Sequence, residues 1–151
     1  IRELGRALAS KGVPKCSEHG DFSPSNILIS NGAVVMLDWE FYKDSGNPLF
    51  DFCFFIIDNS SRPRMGRSFC ENLSGSGPYS SVLSNIVRKF CSHKKLPMEL
   101  ILLGIPYVLS RCIVRYSVYS DTRSPLAYKV FLDMLTLWNE KMRYSASSWL
   151  R

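Results

Sequence analysis

Asn31-Gly32, set between the apolar runs Ile27-Leu28-Ile29-Ser30 and Ala33-Val34-Val35-Met36-Leu37, constrains this chain more than any other feature. A two-residue reversal of type I′ needs positive φ at both central positions, and Asn followed by Gly meets that need at least cost. The pair predicts a β-hairpin of fixed register, with Ser30 facing Ala33, Ile29 facing Val34, Leu28 facing Val35 and Ile27 facing Met36. Asn26 then lies opposite Leu37, and Asp38 follows directly, so an amide and a carboxylate meet at the open mouth of one hairpin. Facing residues on paired strands sit about 5 Å apart, close enough for two side-chain oxygens to share a cation. Asp21 arrives on the loop that feeds the hairpin, just after His19-Gly20.

Around the hairpin the patterning is mostly helical. Residues 1–11 carry apolar side chains at 1, 4, 7 and 8, an amphipathic spacing that Gly12 and Pro14 end. Residues 15–26 read as a loop and 41–47 as an exposed turn. Asn47 can cap a helix whose first residue is Pro48, and the run from Leu49 to Ile57 is apolar but for Asp51, so that helix is buried on most sides. Residues 59–78, with Gly, Ser, Pro and the arginines Arg62, Arg64 and Arg67, read as a long connection. Helices are expected over 79–92, from Leu96-Pro97 to Tyr119 with a bend near Pro106, and from Pro125 to Arg143, the last opened by Asp121 or Ser124. Two short strands among five helices make an α+β, mostly helical domain spanning 1–151, with the loop and hairpin at 15–40 and a helical part at 47–145.

Composition excludes some classes. Hydrophobic content of 46% against 21% charged residues is that of a folded domain with a real core. Nineteen basic against 13 acidic residues give +6, which suits anionic partners, although charge alone reads as a solvated surface. No arginine-rich run or aromatic RNA-binding signature is present, so nucleic acid is not the expected partner. The five cysteines are odd in number and lack paired spacing, which favours reduced thiols and a cytoplasmic setting. Cys16 and His19 have a C-x-x-H spacing without a second pair, so zinc is not expected either. The longest apolar stretch, 100–119, contains Arg111, Arg115 and Pro106, which argues for a core helix rather than a membrane span.

His19-Gly20-Asp21, Asn26 and Asp38-Trp39-Glu40, with Gly46-Asn47-Pro48-Leu49-Phe50-Asp51 following, resemble the catalytic region of the aminoglycoside phosphotransferase and choline kinase family. The likeness covers about residues 19 to 52; beyond it the chain resembles the family only in being helical. It implies the C-terminal lobe of a protein-kinase-like fold and transfer of the γ-phosphate of ATP to a small-molecule hydroxyl, with Mg2+ as the metal. Asp21 is then the catalytic base that accepts or orients the hydroxyl. Asn26 and Asp38 are the magnesium ligands that also anchor the nucleotide phosphates. His19 packs beneath the loop as a support, and Asp51 bonds the loop from below. An unpartnered Asp51 would be costly inside an apolar helix. Taken singly, Asp21, Asn26 and Asp38 read equally well as turn-capping side chains; the joint spacing carries the expectation.

Trp39 is expected in the core. Glu40 is expected either solvated or near the metal, and the three loop arginines in solvent. Gly75-Ser76-Gly77 has no strand before it and no Lys after it, so it is not a phosphate cradle. Asp58, Glu71, Glu99, Asp121 and Asp133 are too dispersed for an acidic pocket, and an amino alcohol, a sugar or an antibiotic hydroxyl all remain open as acceptors. The family's nucleotide lobe has no counterpart in the 18 residues before His19, and the chain begins with Ile1. Two expectations follow: a kinase C-terminal lobe that turns over poorly by itself, or a non-catalytic remnant serving as a binding or scaffold module.

Overall fold

The computed structural model describes residues 2–61, 67–118 and 125–142. Expectations placed on Arg62, Arg64, the Arg67 side chain, Tyr119, Asp121, Ser124 and Arg143 lie outside them. The described chain is mixed α/β and predominantly helical. In order it runs α1 (Arg2–Ser10), β1 (Cys16–Glu18), β2 (Ile27–Ser30), β3 (Ala33–Met36), β4 (Lys43–Gly46), α2 (Pro48–Ser61), α3 (Arg67–Leu73), α4 (Ser80–Lys94), α5 (Glu99–Val118) and α6 (Pro125–Leu137). A π-helical turn, Trp138–Met142, continues α6.

The hairpin has the register that its turn dictates: Ile27 faces Met36, Leu28 Val35, Ile29 Val34 and Ser30 Ala33. Asn31 (φ 49°) and Gly32 (φ 78°) both take the left-handed conformation of a type I′ reversal. One further bond, from the Leu37 N–H to the Asn26 carbonyl at 2.9 Å, carries the ladder to the two residues at the mouth.

Two expectations are corrected here. Residues 15–26 and 41–47 are not simply loop and turn: β1 and β4 pair antiparallel, Cys16 facing Gly46 and Glu18 facing Lys43. Neither segment alternates apolar and polar residues, because a buried carboxylate rather than an apolar face holds the pair. Glu18 is 1% exposed and accepts the Asn47 N–H at 3.1 Å. Nor is 59–78 a continuous connection, since α2 persists to Ser61 and α3 follows at Arg67–Leu73. Phe69 and Leu73 stand one turn apart on α3 and are fully buried. Buried Asn72 donates to the Ser60 carbonyl and accepts the Tyr79 N–H, both at 3.0 Å, tying α3 to the end of α2 and the start of α4. The Ser, Gly and Arg residues around this short apolar pair hid it from a composition-based reading.

The core gathers on α2 and α5. Asn47 Oδ1 accepts the Leu49 N–H at 2.9 Å and caps α2, whose Leu49, Phe50, Cys53, Phe54, Ile56 and Ile57 are buried. α5 packs against α2, with α1 and α6 also on it, and buries Ile101, Ile105, Val108, Leu109 and Cys112. By length and composition α5 is long and apolar enough to cross a membrane; in this fold it lies among three other helices. Phe52 of α2 stacks on Phe90 of α4 with ring centroids 3.7 Å apart. The open side of this helical mass carries the residue 19–26 loop and the hairpin.

Candidate functional site

The loop is fastened to α2 by one carboxylate. Asp51 accepts the His19 N–H at 2.6 Å and the Gly20 N–H at 2.8 Å, one on each oxygen. That is where the one acid of the apolar run from Leu49 to Ile57 goes: it satisfies two backbone donors in a part-buried turn. Burial raises the Asp51 pKa above its ordinary value, the two N–H bonds pull it down only in part, and the Glu18 charge pushes it up again.

His19 is 2% exposed. Its Nδ1 accepts the Asp21 N–H at 3.3 Å, so the ring proton sits on Nε2, which donates to the Leu37 carbonyl at 2.8 Å. One imidazole thus links the loop to the far strand of the hairpin. Trp39 packs on it with centroids 4.6 Å apart and donates Nε1–H to the Met36 carbonyl at 2.9 Å. Trp39 remains 47% exposed, which corrects its expected place in the core. It lies beyond the last strand residue, where it covers His19 on one face only.

Asp21 and Asn26 meet directly. The Asn26 Nδ2 donates to the Asp21 backbone oxygen and to Asp21 Oδ2, both at 3.0 Å. With its nitrogen so engaged, the amide turns its oxygen away from Asp21, and that oxygen has no hydrogen-bond partner among the described residues. A 3₁₀ turn at Pro24–Asn26 brings the two residues together. Burial raises the Asp21 pKa above the ordinary aspartate value; the Asn26 bond and the Arg115 charge lower it, and the Asp38 charge raises it.

Asp38 is exposed, takes φ 58°, and forms no hydrogen bond or ion pair among the described residues. Its link to the others is its field, which Asp21 feels. Direct bonds therefore join His19, Asp51, Asp21 and Asn26, while Asp38 stands beside them with a bare carboxylate. Among the described residues no group of three or more His, Cys, Asp or Glu side chains gathers as a metal cage. The donor set at the hairpin mouth is instead one amide oxygen and two carboxylates. Such hard oxygens, few in number, suit a magnesium ion that keeps other ligands of its own.

Three residues outside the sequence motif build the floor. Arg111 grips Glu18 through two bonds, Nη2 to Oε1 at 2.8 Å and Nη1 to Oε2 at 3.1 Å, and lies 3.9 Å over the Phe50 ring. Burial alone would push the Glu18 pKa up; the Arg111 and Asn47 bonds, with the Arg111 and Lys43 charges, outweigh it and hold the acid below its usual value. One turn further along α5, Arg115 donates to the Gly20 carbonyl at 2.7 Å, its guanidinium 4.0 Å over Phe41. The signal was available: two arginines four apart in an apolar helix must face a common acceptor surface.

No family model, curated protein or solved structure matches this chain.

Proposed function

We propose that this chain carries the catalytic loop and helical lobe of an ATP-dependent phosphotransferase that acts on a hydroxyl group of a small molecule. The reading is of the aminoglycoside phosphotransferase and choline kinase type, with a protein-kinase-like C-terminal lobe. One observation carries it: Asn26 spends its amide nitrogen on Asp21 and leaves its oxygen without a partner among the described residues, at the hairpin mouth where Asp38, likewise without a partner there, follows Leu37. A turn-capping aspartate needs no such arrangement.

In this reading Asp21 receives the acceptor hydroxyl and takes its proton. The hydroxyl oxygen forms a bond to the γ-phosphorus while the bond from that phosphorus to the β–γ bridging oxygen breaks, and ADP leaves with the electron pair. Magnesium, held by Asn26 and Asp38 together with phosphate oxygens, would supply positive charge against the transferred group. The protein's main contribution is position. Asp51 and His19 fix the loop, Asn26 fixes the Asp21 rotamer, and a raised pKa makes Asp21 a better base than a solvated aspartate.

The test is a titration of the isotope-labelled chain with ATP in the presence and absence of Mg2+. Magnesium-dependent shifts of the Asn26 side-chain amide, abolished by Asp38→Ala, are expected. Identical spectra with and without the metal would end the proposal. A second reading, a binding module of the same fold without turnover, draws support from the hairpin's apolar surface, where Ile29 is 74% and Val34 65% exposed. ATP turnover against a panel of hydroxyl compounds, lost in Asp21→Asn, separates the two.

A further inference from the structure

Between β4 and α5 a cleft of about 450 Å³ opens beside the loop, lined by Phe41, Tyr42, Lys43, Arg111 and Arg115, with Glu40 as its one acidic residue. Its size is that of a small-molecule site. We propose that this cleft receives the acceptor, and that the acceptor carries a carboxylate or phosphate group as well as its hydroxyl. Calling the bound molecule an acceptor rests on the phosphotransferase reading; the preference for an anion rests on the cleft alone.

The charges in the cleft are not equivalent. Arg111 is spoken for, because Glu18 takes two of its donors and neutralises it. Lys43 lies 3.5 Å from the same carboxylate and its side chain is 51% exposed, so it shares a partner already committed elsewhere. Arg115 is half-buried and no carboxylate pairs with it among the described residues. A single Nη1–H goes to the Gly20 carbonyl, and Phe41 backs the guanidinium plane at 4.0 Å. Arginine offers five donors in a rigid fork that fits two oxygens of one carboxylate or phosphate. The cleft lining holds three cations (Lys43, Arg111 and Arg115) and one acid (Glu40). Glu18 neutralises Arg111 from outside the lining, and the guanidinium of Arg115 feels Asp21 only through its field, so the fork that no carboxylate contacts is that of Arg115. A half-buried guanidinium that no carboxylate contacts is a poor host for an ammonium group and a good one for an anion.

The position relative to the chemistry is equally specific. Arg115 holds the carbonyl of the residue immediately before Asp21, and its charge lowers the Asp21 pKa. A small hydroxyl compound anchored by its anionic group at Arg115 is therefore held against the loop residue that Asp21 directly follows. The same contact couples occupancy of the cleft to the shape of the loop. No polyamine would be drawn to this wall.

The experiment compares glycerol 3-phosphate, glycerol and ethanolamine as ligands of the chain by heteronuclear NMR at low salt, without nucleotide. Glycerol 3-phosphate is expected to bind about tenfold or more tightly than the other two, moving the Phe41 and Tyr42 amides. Arg115→Gln should weaken it at least about tenfold. Lys43→Gln, an exposed change that leaves the Gly20 contact intact, should weaken it about threefold. Equal binding of the three compounds overturns the proposal, as does an affinity that both substitutions leave unchanged, which would mark an adventitious ion only. The Mg2+–ATP response of Asn26, read on the same sample, keeps the two claims apart. If that response is present and the anion preference absent, the acceptor assignment falls alone. If it is absent, the phosphotransferase reading falls and takes the word acceptor with it.

Discussion

Asp51 of α2 accepts the backbone N–H groups of His19 and Gly20 at 2.6 and 2.8 Å, so an acid inside an apolar run is the clasp of the candidate catalytic loop. Asp51→Ala removes both acceptors and strands two part-buried donors. A loss of about 2–4 kcal/mol in folding stability is expected, with activity lost as well. Urea denaturation of the two proteins measures it; coincident midpoints would show that the loop holds its shape without the clasp.

Asp21→Asn should behave in the opposite way. Burial raises the folded-state pKa of Asp21 above its ordinary value of 3.8, so the ionised side chain costs stability at neutral pH. The sign is that of a raised acid: the stabilising contribution of the protonated form is complete below 3.8 and lost as pH rises through the folded value. An amide at this position carries no charge to bury. The variant should melt no lower than wild type at pH 7, and its advantage should shrink as pH falls through the raised folded-state value and be gone below pH 3.8, where the wild-type acid is protonated in both states. Turnover should fall at least about a hundredfold, the scale of a lost general base. A variant that unfolds early at pH 7 would show that the Asn26 bond and the Arg115 charge outweigh the burial of the Asp21 carboxylate.

Legibility in the sequence differs by element. The Asn31-Gly32 reversal and its register could be read because one local rule, positive φ at two successive residues, fixes every pair on both strands. The start of α2 could be read for a similar reason, since Asn47 caps and Pro48 suits the first turn. β1 and β4 could not: a three-residue and a four-residue strand are stabilised by Glu18 and by Arg111 from far along the chain, and no local pattern records that. α3 escaped because its burial rests on Phe69, Leu73 and one amide in an otherwise polar stretch. At the candidate site, His19, Asp21, Asn26, Asp38 and Asp51 could be named from spacing or resemblance, and direct bonds join all of them except Asp38. The contributions of Arg111 and Arg115 were visible only as an anomaly in α5.

The Glu18–Arg111 pair sets a different pH dependence. The folded-state pKa of Glu18 lies below its ordinary value of 4.5. A depressed acid contributes stability that is complete above 4.5 and disappears as pH falls through the folded value. Glu18→Gln leaves a largely buried guanidinium with a neutral partner and should cost about 3–5 kcal/mol at pH 7. The gap between variant and wild type should close only in acid, below pH 4.5. Thermal melts of both proteins from pH 7 downward test this, and a gap that widens in acid would reverse the sign. Because Arg111 also joins β1 to α5, the same variant should loosen the β1–β4 pair, which hydrogen exchange at the Asn47 amide would report.

Gly20 and Gly32 offer a controlled comparison, since both have positive φ (84° and 78°) and differ in their surroundings. A Cβ at Gly32 meets nothing within 4 Å, so Gly32→Ala adds backbone strain alone. Roughly 1 kcal/mol is the expected loss, with the hairpin register kept. A Cβ at Gly20 would stand 2.5 Å from the Phe41 carbonyl oxygen and 2.7 Å from the Phe41 Cβ, so the same strain is joined by a collision with backbone that a rotamer change cannot relieve. Gly20 also presents its N–H to Asp51 and its carbonyl to Arg115, and any retreat from Phe41 stretches both bonds. Gly20→Ala should therefore cost about 3 kcal/mol or more, once overpacking and weakened bonds are added to the strain. It should also displace the Asn26 side-chain amide resonance, whereas Gly32→Ala should not. Chemical denaturation and a single heteronuclear spectrum of each variant decide the matter. Equal losses at the two glycines would mean that the loop can move off Phe41 freely, and Asp21 would then not be held rigidly by these contacts.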